Sequence, residues 1–186
     1  MRKQIVWVAA LAACLVLGTS AFAKSNIGFK GVGAKVGLVG PEGGIGTGIG
    51  FGGVADLGWI TPKIGLEGSV IYWGKSYNSG FFYETYDVKY SQFTISALGK
   101  YYFDQKKGSK FHPYAGAGLG LGFWKVSWPA QAHFTGGVSG TNLVIQGVGG
   151  AKMALSPSMD GFGEFMYSSG GYNFWGLFVG FIYKLK

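Results

Sequence analysis

The stretch Gln92-Phe93-Thr94-Ile95-Ser96-Ala97-Leu98-Gly99-Lys100-Tyr101 decides the fold, because it alternates between two kinds of residue. Phe93, Ile95, Ala97, Gly99 and Tyr101 share one parity, while Gln92, Thr94, Ser96 and Lys100 share the other. Successive side chains of a strand point to opposite faces of its sheet, so this segment is a strand with one apolar and one polar face. The same period recurs on either side. Ile64, Leu66, Val70 and Tyr72 lie opposite Glu67 and Ser69, and Phe165 and Tyr167 lie opposite Asp160 and Glu164. Lys35 and Gln146 fall on the polar face by the same count.

Extending the count predicts strands over 27–39, 45–57, 63–74, 86–102, 111–127, 141–155, 159–168 and 173–185. Each is about as long as, or longer than, the 9 to 11 residues that cross a bilayer at a tilt. Turns are expected at 58–62, 104–110 and 156–158, and outer loops at 40–44, 75–85, 128–140 and 169–172. Short turns at one end and longer loops at the other, with one face in lipid, describe an eight-stranded antiparallel transmembrane up-and-down β-barrel. Tyrosine and tryptophan crowd the strand ends: Trp59, Tyr72, Trp73, Tyr86, Tyr90, Tyr101, Tyr102, Tyr114, Trp124, Trp128, Tyr167, Trp175 and Tyr183. They are read as girdles at the two headgroup levels.

Composition points the same way. Glycine supplies 36 of 186 residues, aromatics 17% and charged residues only 13%, a balance foreign to most soluble domains. The chain opens with Arg2 and Lys3, an apolar run from Ile5 to Leu17, and Ala21-Phe22-Ala23. Those are the three parts of a secretory signal peptide, so residues 1–23 are expected to be cleaved and 24–186 to form the barrel domain. A lipobox-like Leu11-Ala12-Ala13-Cys14 is the competing reading, in which Cys14 is acylated. With cleavage after Ala23 the mature chain holds no cysteine, and disulfides add nothing.

Loss of Arg2 and Lys3 lowers the formal charge from +8 to +6, and every remaining basic residue is lysine. Nucleic-acid recognition leans on the bidentate guanidinium, so a mature chain without arginine argues against a nucleic-acid partner. Lysine meets phosphate as a point charge instead, which makes outer-membrane lipid and lipopolysaccharide the expected partners of exposed lysines.

The lumen side carries the candidate site. Lys35 and Lys100 are expected to pair with Glu67 and Glu164, because isolated charges inside a barrel are costly. Gly46, Gly48, Gly50 and Gly52 on the second strand, and Gly116, Gly118, Gly120 and Gly122 on the fifth, also face inward. Phe162, Met166, Phe174 and Phe178 share the inward parity and are placed to fill that space, since eight strands enclose little more than side chains. A narrow pore or an apolar-ligand pocket is the alternative.

Catalytic signals are sparse. Gly48, Gly50 and Gly53 fit a dinucleotide fingerprint but lie in an alternating strand. His112 and His133 are the only histidines, too few for a metal constellation, and no cofactor is expected. A dyad of His133 with a loop serine is the remaining enzymatic possibility, which would make the protein a lipid A-modifying enzyme.

Three stretches carry a family resemblance: Pro113-Tyr114-Ala115-Gly116-Ala117-Gly118-Leu119-Gly120; Leu155-Ser156-Pro157 with Glu164-Phe165-Met166-Tyr167; and the ending Gly180, Tyr183, Leu185. The chain resembles the OmpA-like and OmpX-like small outer-membrane β-barrels. The resemblance implies a Gram-negative-type outer membrane and an insertion signal at Gly180, Tyr183 and Leu185, read by the barrel-insertion machinery. The departure is an ending on Leu185 and Lys186 in place of an aromatic terminus. The expected role is non-enzymatic, structural or interactive at the cell surface. Contacts with lipopolysaccharide or a surface partner are expected from Lys75, Tyr77, Phe81, Phe82, Lys125, Trp128 and His133.

Overall fold

The computed structural model describes residues 26–44, 46–81, 84–104, 109–128 and 137–185, with side chains outside 77–81 and 84–87. The expected signal segment, Cys14, Phe82 and His133 lie outside the described residues. Eight antiparallel strands close into one barrel: β1 (Asn26–Pro41), β2 (Gly48–Thr61), β3 (Ile64–Phe81), β4 (Glu84–Tyr102), β5 (Phe111–Ser127), β6 (Gly137–Ser156), β7 (Met159–Ser169) and β8 (Phe174–Lys184). Each strand pairs with its chain neighbours, and β1 closes on β8 from Gly31 opposite Lys184 to Pro41 opposite Phe174. Closure leaves no unpaired edge, which a sheet immersed in hydrocarbon requires.

Faces follow the parity. Phe93, Ile95 and Tyr101 are exposed while Gln92, Thr94, Ser96 and Lys100 are buried, and Phe165 and Tyr167 are exposed while Asp160 and Glu164 are buried. Here "exposed" means the outer wall, and that wall is apolar: Val36, Leu38, Ile49, Leu119, Leu143 and Val179 all point outward. A closed sheet that is apolar outside and polar inside suits lipid around it rather than water.

Several boundaries differ from the alternation count. The second strand runs to Thr61, because Gly58 sits inside it as a bulge at φ 84 while the register slips between Asp56 and Trp59. The Gly58 N–H donates to Asp56 Oδ1 at 2.9 Å, so the sequence features of a turn here serve a kink in a continuing strand. Gly46 lies ahead of this strand with φ 80.

The expected loop at 75–85 is instead a hairpin, whose pairing continues from Lys75 opposite Tyr90 to Phe81 opposite Glu84. Lys75, Tyr77 and Phe81 are therefore strand residues, as is Lys125 of β5. The sixth strand likewise starts at Gly137 and shortens the third outer loop.

Candidate functional site

The site is the inside of the barrel. At its centre Lys100 Nζ lies 2.7 Å from Glu67 Oε1 and 2.6 Å from Glu164 Oε2, and Lys35 Nζ lies 3.3 Å from Glu164 Oε1. The structure thus brings all four expected charges together from β1, β3, β4 and β7. Two lysines face two carboxylates, so the cluster is neutral as a whole. Side-chain exposure within it is 7% or less, which removes the solvent screening that weakens surface pairs.

Aromatic residues complete the cluster. The Tyr114 hydroxyl donates to Glu164 Oε2 at 2.9 Å. Lys35 lies over the Phe178 ring at 5.2 Å, and Lys100 lies over Tyr114 at 4.7 Å. Ring faces are negative, so each ammonium gains a second, weaker counter-charge.

Packing on both sides extends this layer. Val39, Ile71, Trp73, Leu98, Met166, Phe174 and Phe178 form one buried cluster, and Val54, Phe162 and Ile182 a smaller one. The glycines make room for these rings: a Cβ on Gly176 would meet Phe178, and one on Gly180 would meet Phe162. At the end of the barrel that carries the β3–β4 hairpin, Tyr172 packs edge-on against Tyr90 and Trp124, with ring centroids 5.5 Å apart in both pairs. Burial there pushes the Tyr172 hydroxyl pKa up.

The opposite end opens into a vestibule of about 740 Å³ lined by Lys30, Trp59, Tyr102, His112 and Lys184 among others. Inward of it lies a space of about 10 Å³ bounded by Glu67, Lys100, Tyr102 and Lys152. That is at the limit of what one water occupies, so the vestibule ends at the charge cluster. Lys152 reaches Asp56 at 3.8 Å, and Lys184 reaches Asp160 at 2.6 Å. Among the described residues no group of three or more His, Cys, Asp or Glu could hold a metal ion.

The structure corrects the expected girdle at several positions. Trp73 and Tyr114, expected at the interfaces, have exposures of 1% and 3% that put them in the lumen. The sequence does carry the signal, since Trp73 shares its parity with Glu67 and Ser69, and Tyr114 with Gly116 and Gly118. Position at a strand end is the weaker guide of the two. Trp124 and Tyr102 also face inward, whereas Tyr72, Tyr101, Tyr167, Trp175 and Tyr183 stand on the outer wall.

The remaining expected site residues lie apart. Gly180 faces inward, where a Cβ would meet the Ala34 carbonyl oxygen at 2.4 Å. Tyr183 points out into the lipid-facing wall, and the Leu185 N–H donates to the Lys30 carbonyl at 2.7 Å. Trp128 follows the end of β5 and is exposed, as is Lys125, while Lys75 is half-buried and leans toward Gly48.

Comparison with known proteins agrees with this architecture. The family described as the outer membrane protein beta-barrel domain matches residues 9–183. Neisserial surface protein A is similar in structure, with a TM-score of 0.57 at 20% identity, covering 84% of this chain and 97% of that one. A major outer membrane protein of Thermus thermophilus gives a TM-score of 0.55 at 12% identity, with coverage of 84% and 99%. Ail, the attachment invasion locus protein of Yersinia pestis, gives 0.50 at 14% identity, with coverage of 86% and 99%. At these identities the likeness is one of fold. No curated protein matches the chain by sequence.

Proposed function

The chain belongs to the outer membrane protein beta-barrel domain family, and from that premise we propose that it is a non-enzymatic anchor and surface-interaction barrel with a sealed lumen. It resides in the outer membrane of a Gram-negative-type bacterium, its wall in contact with lipid. The observation that carries the proposal is the buried contact chain Lys35–Glu164–Lys100–Glu67, which spans the barrel's middle with aromatic packing beside it. A neutral, hydrogen-bonded cluster of that kind stiffens a barrel and leaves solutes no path.

On this reading residues 1–23 are removed on export, and the barrel-insertion machinery recognises Gly180, Tyr183 and Leu185. The outer ends of the strands meet lipopolysaccharide or another surface partner through Lys75, Lys125 and Trp128, with Tyr77 and Phe81 on the hairpin beside them. The cluster has the form of a structural ion network rather than of a nucleophile beside a base.

Deletion and complementation of the gene test the role. Uptake of a hydrophobic dye is expected to rise on deletion and to return with the wild-type gene, while lipid A keeps its acyl chains in mass spectra. A changed acyl pattern would replace the anchor reading with an enzymatic one. Unchanged dye uptake would remove the structural role.

A further inference from the structure

The outer wall formed by β2 to β5 changes character along its height. At its outer end is a groove of about 610 Å³ whose lining includes Lys75, Lys89 and Lys125 together with Ser76, Ser91 and Ser127. The register sets Ser76 opposite Lys89, Lys89 opposite Ser127, and Ser91 opposite Lys125. Lys89 and Lys125 are both exposed and therefore diagonal neighbours on adjacent strands, about 7–8 Å apart at the backbone. Two lysine stems at that spacing reach a single phosphate between them. Among the described residues that line the groove there are three lysines and no carboxylate.

One step toward the bilayer centre the same four strands carry a row of rings. Phe51 faces Tyr72, Tyr72 faces Phe93, and Phe93 faces Phe123, with centroids 5.3 Å apart in the first pair and 6.3 Å in the last. Below that row the wall turns to small residues. Gly53, Ala55 and Gly68 leave a depression of about 320 Å³ between Val32, Val70 and Ile95. Basic head groove, aromatic row and apolar trough thus follow one another down a single wall.

We propose that this wall is a binding site for a phosphorylated, multiply acylated glycolipid of the outer leaflet, the lipid A part of lipopolysaccharide. Lys89 and Lys125 hold a phosphate, the serine hydroxyls donate to its remaining oxygens, and an acyl chain lies in the trough beside Gly68. The assignment rests on the reading that the hairpin end of the barrel is the cell-surface end. A soluble anion has no use for the trough. A second copy of the chain docking through the same patch by two-fold symmetry would bring lysines against lysines, which is repulsive.

The test uses the full chain refolded in detergent and native mass spectrometry, with bisphosphorylated lipid A, monophosphorylated lipid A or phosphatidylglycerol added at equal ratio. Wild type is expected to retain one bisphosphorylated lipid A and little phosphatidylglycerol. Each lysine at a membrane surface contributes about fivefold to such binding, so Lys89→Gln with Lys125→Gln should weaken retention at least about tenfold. Lys125→Gln alone, should the double variant fail to refold, should weaken it about fivefold. Gly68→Leu should also lower retention by filling the trough, while Lys30→Gln with Lys110→Gln at the opposite end should leave it unchanged.

Equal retention by wild type and the Lys89/Lys125 variant, equal retention of phosphatidylglycerol, or a chain dimer in place of the lipid adduct would each overturn the assignment. Failure of the sealed-anchor reading is seen separately in dye uptake and conductance, to which this mass measurement is blind.

Discussion

Replacing Glu164 by glutamine should destabilise the barrel by about 2–4 kcal/mol, and the structure shows where that figure comes from. Glu164 accepts from Lys35 at 3.3 Å, from Lys100 at 2.6 Å and from the Tyr114 hydroxyl at 2.9 Å. Loss of its charge turns a balanced set of two lysines and two carboxylates into one with an unmatched positive charge. Lys100 keeps Glu67 at 2.7 Å, but Lys35 has no other ion-pair partner among the described residues.

Breaking a buried pair by removing one member costs about 3–5 kcal/mol, because the other charge stays desolvated. The Phe178 ring beneath Lys35 returns about 1 kcal/mol of that. Removing both partners should behave differently: with Lys35→Met added, the remaining Lys100–Glu67 pair is neutral, and stability should return to within about 1 kcal/mol of wild type. The assay is reversible urea unfolding of the barrel in lipid vesicles, followed by tryptophan fluorescence, as a double-mutant cycle. If Glu164→Gln costs less than about 1 kcal/mol, or the two single costs simply add in the double variant, the ion-network reasoning is wrong.

Three further outcomes follow from other parts of the barrel. A Cβ on Gly118 would sit 2.1 Å from the Ala97 carbonyl oxygen, so Gly118→Val should block barrel closure. Gly147→Ala, where nothing lies within 4 Å, should leave stability unchanged; migration of unheated and heated samples on a detergent gel reads both. At the turn between β2 and β3, the hydrogen bond from Lys63 to Asp104 raises the lysine's pKa. The contribution of that pair is therefore fully present at neutral pH and is lost as pH climbs past the ordinary lysine value through the raised one. Lys63→Met should abolish that alkaline component in a pH series of unfolding midpoints. Finally, Tyr183→Ala should slow assembly in cells while leaving unfolding in vitro little changed, measured as the folded fraction in outer-membrane extracts over time. Equal folding rates would remove Tyr183 from the insertion signal.

Strict alternation makes strand number, strand direction and the inward set legible, because lipid on one side and a packed lumen on the other force every second residue to a common character. Lys35, Glu67, Lys100 and Glu164 can be grouped from parity alone, since few charged residues face a lumen only wide enough for side chains. Local signals are less faithful. Gly58 reads as a turn in isolation, yet its positive φ is used for a bulge that the pairing with β3 carries through.

The polar run from Lys75 to Thr85 reads as a loop, but cross-strand pairing extends the hairpin beyond the apolar belt, where hydropathy has nothing to report. Trp73 and Tyr114 show the converse. A preference for aromatic rings at the interface is a tendency of residue type, whereas the pleat is a geometric constraint, and here the pleat prevails. Tyr114's bond to Glu164 joins residues 50 apart in sequence, and no local pattern encodes it.

The central claim is that the lumen is sealed at the Lys35–Glu164–Lys100–Glu67 layer, and single-channel recording from refolded protein in planar bilayers tests it most directly. The sealed barrel should insert and give no reproducible unitary steps across the voltage range. Discrete steps of constant size that scale with salt concentration would contradict it and mean that ions pass the charge cluster.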